Sequence, residues 1–125
     1  MTGTSTGLDK GRGKVLVVED VALIRMTTVE MVEQIGFAAC EAADAAQALA
    51  LLREDGEISI LFTDLGLPGM SGRQLVEEAL RLNPSLKVII ASGYSAREEE
   101  AHKAAGVLYL TKPYDFQRLR RVLES

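Results

Sequence analysis

The sequence predicts an α/β domain: a five-stranded parallel sheet in the order 2-1-3-4-5, with five helices on both faces. Three observations carry that prediction. Short apolar runs recur at residues 14–18, 37–42, 58–63, 86–91 and 107–110, and helix-length segments separate them. The central runs are apolar without alternation, as strands buried on both faces must be. Right-handed crossovers between such strands then leave few topologies other than a parallel sheet sandwiched by helices. The second strand falls on one side of the first and the remainder on the other, so the switch point lies between strands one and three.

The third run, Ile58-Ser59-Ile60-Leu61-Phe62-Thr63, organises the rest. It stops on Asp64 and is followed by Leu65-Gly66-Leu67-Pro68-Gly69-Met70-Ser71-Gly72, whose glycines and proline enforce a loop. An acid at the carboxyl end of a buried parallel strand faces the crevice where open α/β sheets bind ligands. The same Asp would also serve as a simple turn former.

Taken in order, residues 1–13 lack an apolar pattern and read as a disordered tail or expression remnant, with one domain over 14–125. Gly11-Arg12-Gly13-Lys14 imitates a phosphate-binding loop but fails: Leu8 and Val15 stand where Gly and Ser or Thr are required, and the stretch precedes a strand. The first strand, 14–18, ends on Glu19-Asp20. A helix over 21–35 buries Ile24, Met31 and Ile35 and stops at Gly36. After the second strand, Asp44 caps an Ala-rich helix through Arg53. A helix over about 73–82 follows the central loop and ends before Asn83-Pro84. The fourth strand, 86–91, runs into Ser92-Gly93. The polar segment 95–105, with Glu98, Glu99 and Glu100, reads as an exposed helix closed by Gly106. The fifth strand, 107–110, ends in Thr111-Lys112-Pro113, and a last helix spans 116–123.

With 125 residues, 47% hydrophobic and 26% charged, the chain is large enough for a core without staples. Its net charge of −4 argues against a nucleic-acid surface. A single cysteine, Cys40, excludes an internal disulfide and reads as a small strand residue. No apolar run is long enough to span a bilayer and no secretory h-region is present, so a cytoplasmic location is expected. His102, among glutamates, reads as solvated. Arg118, Arg120 and Arg121 read as a solvated or protein-binding face rather than a DNA contact.

Strand-end logic gathers Glu19, Asp20, Asp64, Ser92 and Lys112 at one edge of the sheet. Converging carboxylates repel and need a cation or protons to coexist. Hard oxygen ligands with room for waters suit Mg²⁺. Metal, ammonium and hydroxyl together make a clamp for the oxygens of a phosphoryl group in transfer, with Asp64 as the nucleophile. Taken singly, each residue has a plainer reading: Glu19-Asp20 as a helix cap, Ser92-Gly93 as a turn, Lys112-Pro113 as a surface loop.

Val-Val-Glu-Asp at 17–20, Thr-Asp-Leu-Gly-Leu-Pro-Gly-Met-Ser-Gly at 63–72, Ala-Ser-Gly at 91–93 and Tyr-Leu-Thr-Lys-Pro at 109–113 together resemble the receiver domains of bacterial two-component response regulators, of the chemotaxis-regulator type. The resemblance covers residues 14 to about 124 and implies a flavodoxin-like fold. It implies that Asp64 takes a phosphoryl group from a histidine kinase or histidine phosphotransfer protein. It also implies Mg²⁺ held by Asp20, Asp64 and the carbonyl of Gly66, with Glu19 assisting, and phosphoryl binding by Ser92 and Lys112. Tyr109 is the implied aromatic switch and the Lys112–Pro113 bond the implied cis peptide. A downstream protein or a second copy is then expected on the face of the fourth helix, fifth strand and fifth helix. Gly66, two residues after the phosphoacceptor, offers no side chain to position water, and Tyr94 is bulky enough to shield a phosphoryl group. Both features point to slow release. The Gly-Tyr after Ser92 also resembles receivers of hybrid kinases and some stand-alone regulators. The rival from another class, a phosphatase of the haloacid dehalogenase type, needs a second Asp where Gly66 stands.

Overall fold

β-branched and aliphatic runs build the centre of the sheet. In the computed structural model, which describes residues 12–93 and 107–125, β1 (Lys14–Val18), β3 (Ile58–Asp64) and β4 (Lys87–Ser92) are its inner strands. β2 (Ala38–Ala42) and β5 (Val107–Thr111) form its edges, and all pairings are parallel in the order β2-β1-β3-β4-β5. This is the predicted sheet. Four helices are described, α1 (Ala22–Ile35), α2 (Ala45–Glu54), α3 (Gly72–Leu82) and α4 (Phe116–Glu124). The fifth expected helix, 95–105, lies outside the described residues, as do His102 and Tyr94.

Alternation along each strand sends side chains to two cores. Leu16, Val18, Leu61, Val88 and Ile90 pack under α2 and α3, against Ala48, Leu75, Val76 and Ala79. Val15, Val17, Ile60, Phe62 and Ile89 pack on the other face under α1 and α4, against Val32, Ile35, Leu119 and Leu123. Burial on both faces explains why the central runs carry no polar alternation.

Helix ends follow local chemistry. Asp44 caps α2 by accepting from the Gln47 N–H at 2.8 Å, and Asp115 caps α4 by accepting from the Arg118 N–H at 2.9 Å. Ser71 and Gln74 form a reciprocal capping box at the start of α3. Gly36 ends α1 in the left-handed region, φ 114°, which only glycine adopts without cost. α1 starts one residue later than its periodicity suggests, because Val21 is extended and serves as its N-cap without a side-chain bond. Likewise Phe37 is buried but precedes the strand, and the fourth strand extends to include Ser92.

The last residues of the sequence-assigned tail touch the domain. Arg12 donates to the Ile35 carbonyl at 2.8 Å and to Glu124 at 2.9 Å, and its guanidinium lies 5.0 Å from the Phe37 ring centroid. These contacts reach far along the chain, so no local pattern announces them.

At the amino-terminal edge of the sheet Lys14 pairs with Asp55. The hydrogen bond from Lys14, with that from the Glu57 N–H, holds the Asp55 carboxyl below its usual range. A depressed acid contributes stability above its unfolded pKa, and loses it as pH falls through the folded value. Asp55→Asn is therefore expected to cost about 0.5–1 kcal/mol at neutral pH, the range of partly exposed pairs. The gap between variant and wild-type melting curves should close in acid; a gap that persists at low pH would contradict this origin.

Candidate functional site

The register of the sheet creates the site. Val18 lies opposite Thr63, so the chain leaving β1 as Glu19-Asp20 emerges beside Asp64 at the end of β3. Because β1 has β2 on one flank and β3 on the other, the connections leave to opposite faces and a crevice opens between them. Ligand oxygens of Glu19, Asp20 and Asp64 all lie within 4.8 Å of one another, which makes a group able to hold a metal ion. Lys112, just past the end of β5, places Nζ 2.6 Å from Asp64 Oδ1 and 3.6 Å from Glu19 Oε1.

The three acids are not equivalent. Glu19 is 5% exposed, Asp64 half-buried and Asp20 exposed. Burial pushes the Glu19 carboxyl above the usual carboxylate range, with Asp20 and Asp64 adding to it, against the Val21 N–H and the Lys112 charge. The Val21 N–H donates to Glu19 Oε2 at 3.0 Å. Burial also opposes the charge on Lys112, yet the bond to Asp64 and the charges of Asp64 and Glu19 outweigh it, and its pKa is raised. The ammonium therefore stays charged and only partly offsets the crowded acids.

Ser92, 5% exposed, ends β4 opposite Thr111, and its carbonyl accepts from the Lys112 N–H at 2.8 Å. Ser92, Lys112 and Asp64 thus share one edge of the sheet. The Lys112–Pro113 peptide bond is cis. Gly66 lies in the loop behind Asp64, where an added Cβ would stand 3.9 Å from Asp64 Oδ2. A side chain there would start within van der Waals reach of the acidic group, with open space around it otherwise among the described residues. Tyr109 is set apart from this cluster. It pairs in register with Ile90 and packs its half-buried ring against the core under α3, with its hydroxyl oxygen shielded from solvent.

Sequence reasoning missed Arg25. Its Nη1 donates to the Glu19 carbonyl at 2.8 Å and its Nε to Glu41 Oε1 at 2.9 Å, so it fastens the Glu19-Asp20 turn to β2. A signal was present: a cation in the first turn of a helix opposes the helix dipole and asks for a nearby acceptor. A groove was missed too. Leu23, Ile24 and Met31 of α1 face Pro113 and Tyr114 across a cavity of about 550 Å³ that Lys112 also lines. Leu23 is 74% exposed and Met26 55%. Of the three residues expected on the buried face of α1 only Ile35 is buried: Ile24 is exposed and Met31 half-buried at the groove, while Thr28 and Val32 take the core positions.

A family model for the response regulator receiver domain matches residues 15–124. The chain is 34% identical over 120 residues to the sensor kinase CckA of Brucella abortus, covering 92% of this chain but 12% of the kinase. It is 32% identical over 118 residues to the chemotaxis protein CheY of Pseudomonas aeruginosa, covering 90% of this chain and 94% of that protein. The crystal structure of a response regulator receiver domain protein from Clostridium thermocellum superposes with a TM-score of 0.82 at 25% identity, covering 90% of this chain and 91% of that one.

Proposed function

The chain belongs to the response regulator receiver domain family of two-component systems, and on that premise we propose that Asp64 accepts a phosphoryl group from a phosphohistidine. The observation that carries this reading is Lys112 Nζ at 2.6 Å from Asp64 inside a crevice with two further carboxylates. In the transfer an Asp64 carboxylate oxygen attacks phosphorus. The O–P bond of the acyl phosphate forms, the P–N bond breaks, and the electron pair leaves with the imidazole of the donor. Lys112 holds a phosphoryl oxygen by charge, and the Ser92 hydroxyl, at the same edge, holds another.

The acid group suits Mg²⁺. Its donors are hard oxygens, it contains more negative charge than Lys112 balances, and burial together with the neighbouring Asp20 and Asp64 raises the Glu19 carboxyl. Asp20, Asp64 and the Gly66 carbonyl would hold the ion, with Glu19 behind them. When bound, Mg²⁺ would neutralise charge on the phosphoryl oxygens. Asp20→Ala is expected to weaken Mg²⁺ binding at least about tenfold, since few protein ligands hold this ion. An NMR metal titration checks it; wild-type affinity in the variant would assign the ion elsewhere.

Phosphoacceptance rather than phosphatase activity follows from Gly66. No carboxylate stands two residues after Asp64 to activate water, so the acyl phosphate persists as a signal. With a Cβ at this position 3.9 Å from Asp64 Oδ2, Gly66→Asn is expected to shorten the phosphoryl lifetime about tenfold by orienting water. An unchanged lifetime by timed intact-mass measurement would remove position 66 from control of release.

A phosphohistidine must approach Asp64 closely, so its protein has to cover the surface next to Lys112. The apolar groove between α1 and Tyr114 adjoins that lysine, and we assign it to the helix of a histidine kinase or histidine phosphotransfer protein that presents the histidine. The output leaves through the surface of residues 95–105, β5 and α4, with Ser92 and Tyr109 as the switch, toward a downstream protein or a second copy. The domain would work in the cytoplasm, alone or as part of a hybrid kinase; among the described residues no helix is long and apolar enough to cross a membrane. The test is incubation with acetyl phosphate with and without Mg²⁺. Uptake of one phosphoryl group only when Mg²⁺ is present supports the reading. No uptake, or uptake indifferent to the metal, overturns it.

A further inference from the structure

Thr28 and Tyr114 line the groove but have no task in the acidic site itself, and the structure joins them. Thr28 lies in the middle of α1 with 1% of its surface exposed, where an unpaired hydroxyl would be costly. Its Oγ1 is 2.7 Å from the Tyr114 hydroxyl, and the two share a hydrogen bond. The Tyr114 ring meets Phe62 edge-on, with centroids 5.6 Å apart and planes at 77°. Phe62 precedes Asp64 by two residues on β3, so both side chains leave the same face of the sheet. Tyr114 therefore grips α1 through its hydroxyl and β3 through its ring. Between these grips and the end of β5 runs Lys112-Pro113, which carries the ammonium 2.6 Å from Asp64.

We infer that Tyr114 is a positioning residue: its hydrogen bond to Thr28 anchors the Lys112-Pro113 segment to α1 and fixes the ammonium where the phosphoryl group arrives. This deepens the receiver reading and rests on it. Thr28 and Tyr114 also line the apolar groove, so a seated donor and the correct placement of Lys112 depend on the same two side chains.

The test uses two near-isosteric variants of the full chain. Tyr114→Phe keeps the ring and its contact with Phe62 but deletes the hydroxyl; Thr28→Val deletes the partner. In each, the phosphorylation rate constant at saturating acetyl phosphate is expected to fall about tenfold, the scale set by partners that orient a reacting group. The half-saturating acetyl phosphate concentration and the Mg²⁺ affinity should stay at wild-type values, and the NMR resonance of the Lys112 methylene next to Nζ should move. The double variant should be no slower than either single one, because both delete one bond. A saturating rate within about twofold of wild type in Tyr114→Phe, with the Lys112 resonance unmoved, overturns the inference, and so do losses that multiply in the double variant. If wild type itself takes up no phosphoryl group, the receiver reading falls and this inference with it. Wild-type uptake alongside an equally fast Tyr114→Phe removes the inference alone.

Discussion

Asp64→Asn is expected to take up no phosphoryl group from acetyl phosphate under conditions that fully label the wild type. The amide has nearly the shape of the carboxylate, so the half-buried position at the end of β3 is preserved. What it loses is the charge and lone-pair basicity that make the carboxylate a nucleophile, and the nearer of the two charges that hold Lys112. The remaining acids do not substitute. Glu19 is nearly enclosed, with Oε2 engaged by the Val21 N–H. Asp20 stands at the exposed rim, where the proposed role is metal binding. Intact mass spectrometry reads the result directly. Stoichiometric labelling of Asp64→Asn would mean that another side chain is the acceptor.

Gly72→Ala is expected to lower stability by about 2–3 kcal/mol, the cost of forcing a methyl into a filled space. Gly72 opens α3, and its N–H donates to the Leu65 carbonyl at 3.0 Å. A Cβ there would lie 2.5 Å from the Asp64 carbonyl oxygen and 2.8 Å from Leu65 Cα. Both are backbone atoms and cannot swing aside as a flexible side chain would. Either α3 moves out or the turn carrying Asp64 moves, so phosphorylation should slow along with the loss of stability. Gly56→Ala is the control, because nothing lies within 4 Å of its Cβ direction, and it should stay within about 0.5 kcal/mol of wild type. Chemical denaturation of the two variants checks the contrast, and equal stabilities would mean that the approach of α3 to β3 has no energetic consequence.

Much of this architecture was legible because its causes are local. Apolar runs broken by turn formers mark β1, β3 and β4, and alternation with helices dictates their parallel order. Glu19, Asp20, Asp64 and Lys112 can be grouped from the sequence because each stands at or just past the end of a strand, and parallel strands end on the same edge. Asp44 was legible as a cap for the same local reason. Hidden features depend on contacts between distant segments. The Thr28–Tyr114 bond joins residues 86 positions apart, and no periodicity encodes it. Arg12 reads as tail by composition, yet it is held by Ile35, Phe37 and Glu124. The capping box at Ser71–Gln74 was visible in principle, but the run of glycines in the preceding loop drew the helix start toward Arg73. Gly72 illustrates the limit from the other side: its presence in a loop looked like turn chemistry, whereas the structure requires it for the packing of α3 against β3.

The measurement that bears most directly on Asp64 as the phosphoacceptor is chemical trapping of the phosphorylated wild type. Borohydride reduces an acyl phosphate and converts the modified aspartate into homoserine, which a peptide mass map locates. After incubation with acetyl phosphate and Mg²⁺, homoserine is expected at position 64 and at no other aspartate, with Asp20 intact. Homoserine at another position, or an unmodified residue 64 in protein that has taken up phosphate, would contradict the account.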